Sequence, residues 1–123
     1  MSKEIFGVGI FIPVSNLKVS TKWYQEMFGF EILHPDEPEA NIMKMGDGTV
    51  VFCLVKSTDI IQPAFPKNNY SVDHYFNFHS SNVEKSYQNF QSKGANVSEI
   101  HEFDGMKGFS LFDPDGNRFG VVS

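Results

Sequence analysis

The chain repeats itself, and a repeat constrains the fold more than any single motif. At a constant offset of 66 residues, Asn16 matches Asn82, Leu17 matches Val83, Ser20 matches Ser86 and Tyr24 matches Phe90. Each match has a local physical meaning. Ser15 or Asn16, and again Ser81 or Asn82, can cap a helix by accepting a bond from its free first-turn N–H groups. Leu17, Ser20, Tyr24 and Met27 then fall on one helical stripe, and Val83, Ser86 and Phe90 repeat it. The small serines predict helices lying close against a neighbouring element, as on a sheet. Gly29 and Gly94 are placed to end them, because the left-handed backbone there costs least at glycine.

The rest reads as strands. Val8, Ile10, Ile12 and Val14 alternate before the first helix, and Phe76 and Phe78 before the second. Three further strands are predicted after each helix. In the first half they are Phe30–Leu33, Ala40–Met45 and Thr49–Val55; in the second, Asn96–Phe103, Gly108–Phe112 and Arg118–Val122. Gly46-Asp47-Gly48 and Asp113-Pro114-Asp115-Gly116-Asn117 supply tight turns before each last strand. The expected fold is α+β, a βαβββ module used twice in one domain of 123 residues. The modules span about 4–56 and 72–123, and the linker about 57–71 carries Pro63, Pro66 and Asn68-Asn69.

Composition narrows the function. With 41% hydrophobic residues, 20% charged and 13 Phe, the chain can build a packed core. A formal charge of -5 argues against nucleic acid, whose phosphates demand a basic face. No apolar run approaches the roughly 18 to 20 residues of a membrane helix. Met1-Ser2-Lys3-Glu4 is a charged start with no apolar stretch behind it for a signal peptide, so a soluble cytoplasmic domain is expected. The one cysteine, Cys53, excludes an internal disulfide and a thiolate zinc cage.

Val14-Ser15-Asn16-Leu17, Ser20, Trp23-Tyr24 and Phe28-Gly29-Phe30, together with Asp113-Pro114-Asp115-Gly116-Asn117, resemble the opening and closing motifs of the vicinal oxygen chelate (glyoxalase/bleomycin-resistance/dioxygenase) superfamily. Asn16 stands for the family's Asp and Phe28 for its Leu. The resemblance spans nearly the whole chain. It implies two βαβββ modules curling into an incomplete mixed-sheet barrel with helices outside, a small molecule in the concave face, often a divalent metal, and a homodimer.

Family enzymes place up to four metal ligands on the first and last strands of each module. Carried over by position, these fall on Gly9, on Cys53 (or Phe52 in a shifted register), on Tyr75 and on Gly120. None is a histidine or carboxylate, so no metal and no cofactor is expected. His74, next to Tyr75, would enter the cavity only through a β-bulge. His79, at odd spacing from His74, would face the other way on a regular strand. His34 and His101 have no ligand-like partner at useful spacing.

If Phe76 and Phe78 pack under the helices, Tyr75, Asn77 and His79 face the concave side. The same alternation places Gly7, Gly9, Phe11 and Pro13 there, with Cys53, Arg118, Gly120 and Val122. The candidate ligand-binding residues are therefore Phe11, Cys53, Tyr75, Asn77, His79 and Arg118, with Gly9 and Gly120 leaving room for a ligand ring. The alternative is a solvated sheet face, which shows the same polar alternation. No catalytic residue is singled out. Two functions stay open: a metal-independent binder of a small organic molecule, aromatic or cationic given the acidic balance, and an enzyme on a small oxygenated substrate. In the enzyme reading, catalysis is either metal-free or uses ligands at positions the motifs do not mark.

Overall fold

The structure is a computed structural model that describes residues 4–103 and 105–123. Met1–Lys3, three of the four residues weighed as a leader, lie outside the described residues. The chain divides into two compact units, Met1–Ile60 and Ile61–Ser123. The first holds β1 (Val8–Val14), α1 (Leu17–Phe28), β2 (Glu31–Asp36), β3 (Ala40–Met45) and β4 (Val50–Lys56). The second holds β5 (Asn77–His79), α2 (Val83–Ser92), β6 (Asn96–Val97), β7 (His101–Phe103), β8 (Met106–Phe112) and β9 (Arg118–Val122).

Both units use one topology. The first sheet runs β1-β4-β3-β2 and the second β5-β9-β8-β6, with β7 also pairing β8. In each, the first strand lies parallel to the last and the other pairs are antiparallel. Both sheets are thus mixed, and neither closes into a barrel. Among the described residues, no helix is long and apolar enough to cross a membrane.

The helices form where the repeat predicts them. Asn16 Oδ1 accepts from Val19 N–H at 3.1 Å and Asn82 Oδ1 from Lys85 N–H at 3.0 Å, each filling a bond the helix cannot make itself. Gly29, at φ 71°, ends α1 and donates its N–H to the Gln25 carbonyl at 2.9 Å. The predicted stripe is the buried one: Leu17, Ser20 and Tyr24 pack inward, with Thr21 beside them. Tyr24 is wholly buried, and its ring stacks on Phe30, which stacks on Phe52. In the second unit Val83 and Phe90 pack inward, with Phe90 edge-on to Phe109. Ser86 departs from its counterpart Ser20: its hydroxyl bonds Ser80 Oγ at 2.7 Å instead of lying fully buried.

Two strand expectations need correction. Asn96–Phe103 is not one strand but β6 and β7. Between them Ser98 interrupts the ladder: its hydroxyl accepts the Ser110 N–H at 2.8 Å while its own N–H donates to the Ser110 carbonyl at 2.9 Å. Phe76 does not pack under a helix; it precedes β5, is 40% exposed and lies edge-on to Phe65 at 5.7 Å. Phe78 does pack inward, 5.2 Å from Phe119.

Candidate functional site

Register builds the site in the second unit. Phe109 and Leu111 of β8 and Phe119 and Val121 of β9 are buried. Alternation therefore sends Gly108 and Ser110, and Arg118, Gly120 and Val122, to the opposite face. On β5 the exposed Asn77 and His79 pair with Gly120 and Val122, so they stand on that same face. Over it lies a cavity of ≈ 680 Å³ whose walls include Val72, Tyr75, Met106 and Val122, and whose polar lining includes His74, Asn77, His79 and His101. Small-molecule sites span about 300–1,000 Å³ and combine apolar walls with a few placed polar groups.

His74 is the most constrained of these. It reaches the cavity from the segment ahead of β5, without a bulge, and so shares the cavity with His79. The opposite-face expectation fails because His74 is not on a strand, and period-two alternation does not extend to it. Its Nε2 lies 2.6 Å from Ser110 Oγ, and the Arg118 guanidinium donates to the same oxygen at 3.1 Å. Arginine can only donate. The Ser110 hydroxyl, with one proton and two lone pairs, can either donate to Nε2 or accept a second bond from it, so a neutral imidazole satisfies the contact in either tautomer. Burial, and then the Arg118 charge, push the His74 pKa below the ordinary histidine range, with Asp73 partly opposing. Ser110 is only 4% exposed, so this is an orienting contact and not an open nucleophile.

Gly120 does not leave the room expected of it. A Cβ there would lie 2.0 Å from Asn77 Oδ1 and 3.0 Å from His74 Nδ1: the two side chains already occupy the space. At Gly9 in the first unit a Cβ would approach Val51 Cγ2 to 3.2 Å, so that position is also crowded. The donor set does not fit the metal that the family uses. Tyr75, at one ligand position, donates its hydroxyl to the Pro66 carbonyl at 2.7 Å, and its ring stacks on Phe65 at 4.7 Å. Among the described residues, no group of three or more His, Cys, Asp or Glu side chains comes together to hold a metal ion.

The six candidate residues separate. Tyr75, Asn77 and His79 line the cavity. Arg118 is not among its lining residues; it bonds Ser110 and lies over the Phe112 ring at 5.7 Å. Phe11 and Cys53 belong to the first unit, paired across β1 and β4, with Phe11 74% exposed and Cys53 half-buried. Burial and then the charge of Asp36 push the Cys53 thiol upward, away from the reactive thiolate. Missing from the candidates was His101. Its pairing with Gly108 carries it to the cavity, a relationship that only strand register reveals.

Asp113 has a structural role. Its Oδ1 accepts the N–H groups of Asp115 and Asn117 at 2.9 and 2.8 Å, and Oδ2 accepts from Asn117 Nδ2 at 2.7 Å. Asp113-Pro114-Asp115-Gly116-Asn117 is a self-bonded turn, as turn chemistry predicts.

The model of the Glyoxalase/Bleomycin resistance protein/Dioxygenase superfamily matches residues 8–121. Three solved structures are similar in fold. The integron cassette protein HFX_CASS4, from the mobile metagenome of Halifax Harbour Sewage Outfall, is 20% identical, with 95% of this chain and 97% of that chain covered and a TM-score of 0.78. TnmS3, an antibiotic binding protein from Streptomyces sp. CB03234, is 20% identical over 94% and 92% of the chains, with a TM-score of 0.72. Lactoylglutathione lyase from Agrobacterium tumefaciens is 18% identical over 94% and 90%, with a TM-score of 0.71. At these identities the likeness concerns the fold. No curated protein matches the chain.

Proposed function

We propose that this chain, which belongs to the glyoxalase/bleomycin resistance protein/dioxygenase superfamily, binds a small organic molecule in the cavity of its second unit and does so without a metal ion. The carrying observation is the ≈ 680 Å³ cavity, where Tyr75, Met106 and Val122 give apolar wall and Asn77 and His79 give hydrogen-bonding groups. The antibiotic-binding neighbour supports this class of function. Metal independence is supported by the donor set, which offers no convergent ligands among the described residues. Tyr75, Asn77 and His79 are the proposed ligand contacts, and Arg118 acts on the site through Ser110 and His74.

A cytoplasmic homodimer is the proposed state. Phe6 at 82% exposure and Phe11 at 74% give the first unit an apolar surface whose covering by a second copy would remove it from water. Light scattering behind size exclusion should return twice the chain mass, and the monomer mass would refute the dimer.

The binding reading is tested by thermal shift and calorimetry. Added Ni²⁺, Zn²⁺, Mn²⁺ or Fe²⁺ should leave the unfolding temperature unchanged. Uncharged 2-naphthamide should raise it and bind with one-to-one stoichiometry. Val122→Trp, which fills the cavity floor, should abolish that binding while keeping a cooperative transition. Stoichiometric metal, or naphthamide binding indifferent to Val122→Trp, would sink the proposal.

A further inference from the structure

We infer that the molecule held in this cavity is a planar acid, its ring across Gly108 and its carboxylate against an imidazole; the inference rests on the reading that the cavity is a binding site. Strand register carries it. His79 pairs with Val122, Val122 with Gly108, and Gly108 with His101. These four residues form one row across β5, β9, β8 and β7, and all four line the cavity. Imidazoles stand at the two ends, with a valine and a bare backbone between them. With neighbouring strands about 4.8 Å apart, the end residues lie about 14 Å apart along the sheet. That span takes a two-ring aromatic flanked by hydrogen-bond donors.

In the middle of the row only glycine fits beside Val122. A Cβ on Gly108 would meet the Val121 carbonyl oxygen and Val122 Cγ1 at 3.0 Å each. A planar ring can lie over this glycine, with Met106 and Val122 as apolar neighbours.

The sign of the ligand follows from the lining. An imidazole offers an N–H donor in either protonation state. Among the described lining side chains the one carboxylate is that of Asp73, against the imidazoles of His74, His79 and His101. Lys107 does not supply the countercharge, because its ammonium is paired with Glu84. The chain's net charge of -5 would favour a cation, but exposed charges beyond a screening length of about 8 Å are largely muted at physiological salt. The local donors therefore decide, and they favour an anionic acceptor.

Calorimetry at pH 7 with 2-naphthoate, 2-naphthamide and 2-naphthylmethylammonium separates the possibilities, because the ring is common and the charge varies. The naphthoate should bind at least about tenfold tighter than the amide and the cation. His79→Gln and His101→Gln should each shrink that advantage severalfold. Both positions are exposed, so the fold should survive, as an unchanged thermal midpoint will report. Equal binding of acid and amide, both lost in Val122→Trp, would overturn the acid and leave the binding site standing. Tightest binding of the cation would overturn it in the same way. If none of the three binds at millimolar concentration, the binding reading fails and the inference with it.

Discussion

The amide oxygen of Asn77 occupies the volume that any side chain at Gly120 would need: a Cβ there would sit 2.0 Å from it. The two residues are register partners on parallel strands, and Asn77 Nδ2 donates to the His74 carbonyl at 3.0 Å. Gly120→Ala should therefore push Asn77 off that carbonyl and cost about 1–3 kcal/mol, as overpacking does. The double variant with Asn77→Ala should recover at least half of the loss in urea denaturation. Strictly additive losses would show that the two side chains do not compete for this space.

His74 gives stability a pH dependence of definite sign. Its folded pKa lies below the ordinary value of about 6.5, chiefly through burial, so the unfolded chain takes up the proton first as pH falls. The contribution of the neutral ring is complete above about pH 6.5, declines below it, and is gone once the folded form is protonated. Urea midpoints measured from pH 8 to pH 5 should fall less steeply for His74→Gln than for the natural chain. Parallel curves would remove His74 as the source.

The two asparagine caps should be worth similar amounts. Asn16→Ala and Asn82→Ala each remove one side-chain bond to a helix N–H, and each should cost about 1 kcal/mol. Asn16→Asp and Asn82→Asp should keep most of the stability. Loss of helical circular dichroism without a change in midpoint would contradict this account.

Cys53 should be slow toward thiol reagents. Burial, and then Asp36, raise its pKa, so less thiolate is present at pH 8 than for a free cysteine. A disulfide reagent should react severalfold more slowly with the native protein than with the same chain in denaturant. Equal rates would mean that neither burial nor Asp36 protects the thiol.

The fold was legible because its markers act locally. Asn16 and Asn82 cap their helices whichever sheet those helices meet, and Leu17, Ser20 and Tyr24 reveal a buried face through spacing alone. Asp113-Pro114-Asp115-Gly116-Asn117 closes on itself. The site was only partly legible because it depends on pairings that no local pattern records. Asn77 and His79 emerged from alternation, whereas His101 reached them through β8 and β9. His74 was misplaced because alternation was extended past the start of β5. The room credited to Gly120 was already taken by Asn77, the very residue counted as a separate ligand contact.

The interruption at Ser98 also governs how the second sheet meets other chains. Its outer edge is two fragments, Asn96–Val97 and His101–Phe103, instead of one continuous strand. The corresponding edge of the first sheet, Glu31–Asp36, shifts register between Ile32 and His34 and carries Pro35, which has no N–H to offer. Short or broken edges are poor templates for strand addition, so both outer margins guard against edge-to-edge aggregation. One hydroxyl standing in for a backbone acceptor thus helps a strand-rich chain resist fibre growth.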